Sequence, residues 1–132
     1  MEVVQLEDAN AKSQLCEELL RELPQWFGIE KSVRDYIRDV ATLPFFAAGR
    51  DGFLALTLHN PAAAEIHVMG VRRERHGRGI GTALVRAAEK FLRDAGVEYL
   101  QVKTLGPSEP SEHYARTRRF YEARGFVPLE EL

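Results

Sequence analysis

The sequence has one cysteine and no long apolar run. A single cysteine, Cys16, excludes an intramolecular disulfide and a metal site built from several thiolates. Because it stands among helix-spaced leucines, we interpret it as a buried thiol rather than a nucleophile. Apolar stretches such as LPFFAA at 43–48 are too short to span a bilayer. The acidic start MEVVQLEDAN has no secretory signal, so we expect a cytoplasmic protein with no membrane partner.

A strong charge imbalance is also absent, since 18 basic and 20 acidic residues give a formal net charge of −2. This balance argues against a nucleic-acid partner that is bound through overall charge. His59 and His113 lack the spacing of metal ligands, so we expect no metal. With 45% hydrophobic and 29% charged residues, the 132 residues suit a single globular domain over 1–132.

The hydrophobic periodicity predicts a mixture of helices and strands. We expect strands over 3–6, 64–71 and 98–105, a hairpin of two strands around GRDG at 49–52, helices over 8–23, 30–41, 79–95 and 111–125, and a last strand in FVPLEEL at 126–132. The strand–helix–strand unit over 64–105 is long enough for a right-handed crossover between parallel strands. The sequence therefore predicts an α/β fold with a mixed sheet.

Three glycines mark a candidate binding loop. In ERHGRGIGTALV at 74–85, Gly77, Gly79 and Gly81 occupy every second position before a predicted helix. Glycine lets a ligand approach the backbone closely, and a helix start offers unpaired N–H groups. A glycine loop followed by a helix start therefore suits a phosphate. A loop that merely needs flexible residues is the alternative. The loop lacks the Gly-Lys-Ser/Thr of a Walker A motif, and its glycine spacing does not match a Rossmann fingerprint.

The order of the elements, with RHGRGIGTALV before one helix and FYEARGF in the next, resembles the GNAT superfamily of N-acetyltransferases over nearly the whole chain. The resemblance implies a mixed, mostly antiparallel sheet flanked by helices, and acetyl-coenzyme A as cosubstrate. It implies direct transfer of an acetyl group to a primary amine of a small molecule or peptide. A non-catalytic module that binds or senses acyl-coenzyme A is the alternative.

The resemblance also implies which residues bind the coenzyme. In that family a Gln/Arg-x-x-Gly-x-Gly/Ala loop holds the pyrophosphate through backbone N–H groups, and here His76 stands in the Gln/Arg position. The preceding strand contacts the thioester and the pantetheine arm. Tyr114 occupies a place where the family often has an Asn that contacts the coenzyme. The implied coenzyme-binding residues are Met69, Val71, His76, Gly77, Arg78, Gly79, Ile80, Gly81, Thr82 and Tyr114.

Three residues are candidates for proton transfer. Glu65 matches a base of the histone-modifying branch, and His67 is its rival on the same strand, while a water relay is compatible with either. A period of two places Glu65, His67 and Met69 on one strand face. Tyr121 matches the tyrosine of the Phe/Leu-Tyr-x-x-x-Gly-Phe motif, which implies that it protonates the departing thiolate. Packing beside Phe120 is the alternative role for Tyr121.

Two regions bear on the acceptor and on the oligomeric state, for which the sequence allows several alternatives. By the resemblance, RELPQWFGIEKS at 21–32 shapes the acceptor side, where Trp26 and Phe27 either wall a pocket or plug the core. The chain ends seven residues after Gly125, which leaves room for one strand where the family usually has a hairpin. The edge of the strand at 98–105 then needs cover from that last strand, from a second chain or from a segment of a longer protein, and we favour a homodimer.

Overall fold

Five strands and four α-helices make up the part of the chain that the structure, a computed structural model, describes: residues 2–103 and 112–127. The strands are β1 (Val4–Leu6), β2 (Phe45–Ala48), β3 (Gly52–Asn60), β4 (Ala63–Val71) and β5 (Tyr99–Val102). The helices are α1 (Ala9–Arg21), α2 (Glu30–Asp39), α3 (Ile80–Asp94) and α4 (Glu112–Ala123), and short 3₁₀ turns cover Val40–Thr42 and Arg73–Arg75. The predicted last strand lies largely outside the described residues.

The strands form one sheet in the order β1-β2-β3-β4-β5. Neighbouring strands from β1 to β4 are antiparallel, whereas β5 runs parallel to β4. The parallel pair follows from the connection through α3, because a helix-containing crossover returns the chain in the same direction. The predicted mixed, mostly antiparallel sheet is therefore confirmed.

Helices pack on both faces of the sheet. On one face, α1 and α2 cover a buried cluster that contains Phe45, Phe53 and Val68. On the other face, α3 packs its apolar stripe, including Leu84, against Ile66 and its neighbours. None of the helices in the described ranges combines the length and the apolar composition needed to cross a bilayer. The two faces thus carry separate halves of the core.

Cys16 lies on the buried face of α1, within the core. Burial, with a smaller contribution from the charge of Glu17, raises the pKa of its thiol to about 12. A thiol that remains protonated at neutral pH is a poor nucleophile. The predicted buried thiol is confirmed.

A bulge interrupts the pairing of β3 with β4. Ala55 pairs with Val68, yet the next residue, Leu56, pairs with Ile66, so His67 is an extra residue in β4. Ile66 consequently belongs to the cluster under α3, while Val68 belongs to the cluster under α1 and α2. The side chains of β4 therefore change faces at His67.

This bulge corrects one sequence prediction. Glu65 and His67 lie on the face covered by α2, but Met69 packs against the cluster under α3. The prediction that all three share one face is wrong, because it assumed an uninterrupted period of two along β4. Because of the bulge, His67 and Met69 lie on opposite faces of the sheet, although both line the cleft that is described below.

Candidate functional site

A cleft of about 1050 Å³ opens between β4 and the elements that follow it. Its walls come from 66–71 of β4, the glycine loop at 75–82, α4, and the segment between α1 and α2. A cleft of this size accommodates a sizeable ligand. The cleft is therefore the candidate site.

The cleft exists because β4 and β5 separate. Their pairing ends at Ile66 and Val102, while β4 continues to Val71. Over 67–71, no strand pairs with β4 on its β5 side among the described residues. Backbone N–H and C=O groups that lack a strand partner seek other hydrogen bonds. This stretch of β4 can bind an extended ligand that carries amide groups.

The glycine loop leads into the start of α3. Gly77 and Gly79 adopt left-handed backbone angles, with φ of 79° and 82°, which other residues rarely adopt. Gly79 is the N-cap of α3 and offers no side-chain cap, so the first N–H groups of the helix remain available to a ligand. Together with the helix dipole, they fit an anion such as a diphosphate.

Basic side chains reinforce this preference for an anion. Arg75, Lys103, Arg116 and Arg124 line the cleft, and no Asp or Glu does so among the described residues. The resulting field attracts an anionic ligand. The positive charge of the cleft and the available N–H groups at the start of α3 both favour an anionic ligand.

Arg124 connects α4 to the start of α3. Its Nε donates to the Thr82 hydroxyl at 2.9 Å and its Nη1 donates to the Phe120 carbonyl oxygen at 2.7 Å. The guanidinium also lies 4.3 Å from the centre of the Phe120 ring. Sequence reasoning missed Arg124, since its partner Thr82 is 42 residues away along the chain.

His76 fixes the turn from β4 into the glycine loop. Its Nε2 donates to the Val71 carbonyl oxygen at 2.7 Å, and its ring lies 6.0 Å from that of Trp26. A carbonyl oxygen only accepts, so the proton is on Nε2 in this arrangement. The imidazole therefore contributes to the shape of the loop as well as to the wall of the cleft.

Tyr121 is buried, at 8% exposure, and also lines the cleft. The ring contacts those of Phe120 and Phe126, with centroids 5.2 and 5.4 Å away. Within the described ranges the hydroxyl has no hydrogen-bond partner, and no fully buried polar side-chain atom is left unpartnered, so the hydroxyl retains some contact with solvent. Burial raises the pKa of Tyr121 above its usual value. The phenol thus stays protonated and can donate to a ligand.

His67 lies between two polar side chains. Its Nε2 is 3.0 Å from Oδ2 of Asp39, and its Nδ1 is 3.0 Å from the Thr57 hydroxyl. A carboxylate only accepts, so Nε2 carries a proton and Nδ1 of the neutral ring accepts from Thr57. His67 lines the cleft, and its hydrogen bonds to Asp39 and Thr57 hold the ring in one orientation. Sequence spacing did not reveal Asp39 or Thr57, which lie 28 and 10 residues from His67.

Glu65 faces other partners. Its Oε1 accepts from His59 at 2.8 Å and from Gln101 at 3.0 Å, and it is 3.7 Å from the Lys103 ammonium. Burial, the largest single influence, raises the pKa of Glu65, but the two hydrogen bonds and the charge of Lys103 bring it below the ordinary value. A carboxylate that is stabilised in this way is a weaker base.

The segment between α1 and α2 spans the cleft and contacts α4. Nε1 of Trp26 donates to the Thr117 hydroxyl at 3.1 Å and to the His113 carbonyl oxygen at 3.3 Å. In return, the Tyr114 hydroxyl donates to the Trp26 carbonyl oxygen at 3.1 Å. Trp26 and Phe27 are half-buried and both line the cleft, which favours the pocket-wall interpretation over a core plug.

Most of the predicted site residues meet in the cleft. Those that line it are His67, Met69, Val71, His76, Gly77, Gly79, Ile80, Gly81, Thr82, Tyr114 and Tyr121. Arg78 is exposed and does not line the cleft, and Glu65 does not line it either. The cleft therefore joins the predicted loop, strand and helix motifs but separates Glu65 from His67.

Comparison of the sequence with known families and proteins identifies relatives. The pattern of the acetyltransferase (GNAT) family matches residues 12–126. A mycothiol acetyltransferase of Nocardiopsis dassonvillei is 33% identical over 111 residues, which is 83% of this chain and 31% of that protein. A mycothiol acetyltransferase of Beutenbergia cavernae is 36% identical over 74 residues, which is 56% of this chain and 23% of that protein. The chain spans less than a third of the length of these curated relatives.

Solved structures share the fold. A GNAT-family protein of Desulfovibrio desulfuricans superposes with a TM-score of 0.81 at 18% identity, covering 98% of this chain and 86% of that one. An aminoglycoside 6′-N-acetyltransferase, solved with coenzyme A, gives a TM-score of 0.75 at 19% identity, with 98% and 87% covered. At these identities the likeness establishes the arrangement of helices and strands.

Proposed function

We propose that this chain, which belongs to the acetyltransferase (GNAT) family, transfers an acetyl group from acetyl-coenzyme A directly to a primary amine. Acetyl-coenzyme A is the cosubstrate. The observation that carries the proposal is one cleft that contains an anion-binding helix start, a stretch of β4 that no described strand pairs on its β5 side, and two groups suited to proton transfer, His67 and Tyr121. The coenzyme supplies a thioester, whose carbonyl carbon is attacked and whose thiolate departs.

The chain would bind acetyl-coenzyme A, the acetyl donor, mainly through backbone groups. The N–H groups at the start of α3, shaped by Gly77 and Gly79, bind the diphosphate, and Arg75 contributes positive charge beside them. The β5 side of 67–70, which no described strand pairs, would bind the amides of the pantetheine arm as an added strand does. Both interactions are made by backbone groups, so neither requires the Gln or Arg that the family motif has at the position of His76.

The acceptor amine must lose a proton before it can attack, since an alkyl amine has a pKa of ~10.4. We assign this step to His67, which lines the cleft and takes the proton at Nδ1, where the Thr57 hydroxyl donates in this structure, while Asp39 stabilises the imidazolium at Nε2. Glu65 is less suited, because its carboxylate is engaged elsewhere and its pKa is lowered.

The leaving thiolate needs a proton in return. We assign its donor as Tyr121, which lines the cleft and whose phenol is protonated at neutral pH. The step then balances. The C–N bond forms and the C–S bond breaks, His67 holds the proton that the ammonium loses before attack, and Tyr121 protonates the sulfur. The second proton, which the nitrogen loses as the amide forms, restores the phenol of Tyr121.

Release of coenzyme A, detected with a thiol reagent in the presence of a panel of primary amines, tests the proposal. Cys16 will not interfere, because its buried thiol stays protonated. We expect His67→Gln to lower kcat about 10²–10⁴-fold, whereas the matched Glu65→Gln change has a much smaller effect. Binding of acetyl-coenzyme A without release in the presence of any amine would instead favour the non-catalytic module.

A further inference from the structure

The end of the cleft beside His67 is built from the segment between α1 and α2 and from α2 itself. It is lined by Phe27, Ile29, Ser32 and Tyr36, beside His67. At a rise of about 3.3 Å per residue, roughly 13 Å of β4 separates His67 from Val71, where the strand meets the glycine loop. This end therefore lies next to the proposed base and away from the anion site.

Aromatic rings form one continuous wall there. Phe27 and Tyr36 meet edge-to-face with centroids 6.0 Å apart, and Tyr36 meets His67 in the same way at 5.5 Å. Edge-to-face contacts fix the orientation of the rings. The wall presents a preformed apolar surface that leads directly to the imidazole.

Ile29 stands at the rim of this wall in a position that helix stability does not explain. It is the N-cap of α2, makes no side-chain cap hydrogen bond, and is 69% exposed. Asp, Ser, Thr or Asn would stabilise the helix at this position, whereas a β-branched apolar residue would not. An exposed apolar side chain that departs from a local stability rule beside a cleft indicates contact with a ligand.

The charges around this end do not suit a polycation. No Asp or Glu of the described ranges lines the cleft. Asp39 and Glu65 are near enough to influence Tyr36, but each is already paired with basic side chains. Among the described residues of the cleft and its surroundings, a ligand with several positive charges would meet arginines and carboxylates that are already paired.

We propose that the acceptor carries its primary amine on an apolar body with no second positive charge, and that Phe27, Ile29 and Tyr36 bind this body. The proposal rests on the transferase function above. In this arrangement the amine lies against His67, and the apolar body lies along the aromatic wall. Ile29 and Tyr36 are then the residues that determine acceptor specificity.

A panel of amines tests the proposal with the chain as it stands. We expect the highest kcat/KM with phenethylamine and hexylamine, and lower values with glucosamine, spermidine and kanamycin. Faster turnover with any of these last three overturns the acceptor proposal and leaves the transferase function intact. If none of the five amines promotes coenzyme release while acetyl-coenzyme A still binds, the transferase function fails, and the acceptor proposal with it.

The Ile29→Asp variant separates ligand contact from stability. Aspartate is a favoured N-cap, so the variant should melt at a higher temperature than the parent. Its kcat/KM for phenethylamine should nevertheless fall about tenfold or more, since an apolar contact is lost. Val4→Asp is the matched control, at a 43%-exposed position on β1 outside the cleft, and should leave kcat/KM unchanged. An Ile29→Asp variant with the kcat/KM of the parent overturns the proposal.

Discussion

A Cβ atom on Gly81 would lie 2.9 Å from both Cε1 and Cζ of the Phe120 ring. The first turn of α3 and the middle of α4 are therefore in direct contact, backbone against ring. Arg124 strengthens this contact from the end of α4 by its hydrogen bond to Thr82. The helix that carries Tyr121 is thereby held against the helix start that we assign to the diphosphate.

Gly81→Ala tests this contact. A helical Gly→Ala change alone stabilises by about 1 kcal/mol, but overpacking against the ring costs about 1–3 kcal/mol. We expect a net loss of stability in urea unfolding. In a Phe120→Leu background, the same change should be neutral or stabilising, because the ring atoms that block the Cβ are gone. A Gly81→Ala variant more stable than the parent would show that the contact is not close.

Gly79→Ala should weaken the binding of acetyl-coenzyme A, and Gly96 provides a matched control. The two glycines flank α3, have φ of 82° and 79°, and have no atom within 4 Å of a built Cβ. Alanine at either position costs about 1–2 kcal/mol of stability through left-handed strain. Only Gly79→Ala should also lower the affinity, by about tenfold, in calorimetry. Equal affinities for the two variants would contradict the anion site.

Tyr121→Phe should lower kcat about 10²–10⁴-fold with little change in KM for acetyl-coenzyme A, because only the hydroxyl is lost. Tyr99→Phe removes a hydroxyl from an exposed position on β5 outside the cleft and should be silent. Burial raises the pKa of Tyr121, so the protonated phenol persists to a higher pH than usual. Loss of activity of the parent at alkaline pH should therefore not arise from Tyr121 below about pH 10.

The regular elements could be predicted because each buries one face. The helix predicted over 79–95 is Ile80–Asp94, and the strand predicted over 64–71 is Ala63–Val71. Their apolar stripes have the periods of a helix and a strand, and burial preserves those periods. Local patterns of this kind were enough to predict most of the fold and the position of the glycine loop.

The proposed base could not be chosen from the sequence. The bulge leaves His67 as an extra residue of β4 with no partner in β3. The sequence pattern of the strand does not show where such a bulge occurs. Its partner Asp39 reaches it because α2 packs on that face of the sheet, which no local spacing reports. Glu65 keeps the predicted strand position, but side chains from β3 and β5 engage its carboxylate.

Trp26 is the single tryptophan, so its fluorescence should report binding of acetyl-coenzyme A. Its ring contacts His76 of the glycine loop and His113 of α4, both at the cleft. We expect saturating acetyl-coenzyme A to change the emission of Trp26. Thr117→Val removes the side-chain acceptor of the indole N–H while keeping the ring, and should alter the emission of the free protein. No change on binding would indicate that the ligand does not approach Trp26.

Asp39→Asn should slow the reaction. The carboxylate of Asp39 accepts from Nε2 of His67 at 3.0 Å, which keeps the proton of the neutral ring on Nε2 and leaves Nδ1 as the acceptor. An amide has no charge to stabilise the imidazolium, so kcat should fall about tenfold or more. The rate of coenzyme release at saturating substrates measures this loss.

Asp35→Asn is the matched control for this change. Asp35 lies one turn earlier on α2, and its carboxylate pairs with Lys31 at 2.9 Å. The change in net charge is identical, but the contact with His67 is untouched. We expect kcat to stay within about twofold of the parent value, because exposed charges are screened by solvent and salt. An equal loss of kcat in the two variants would mean that Asp39 acts through overall charge, and His67 would then lose its support as the base.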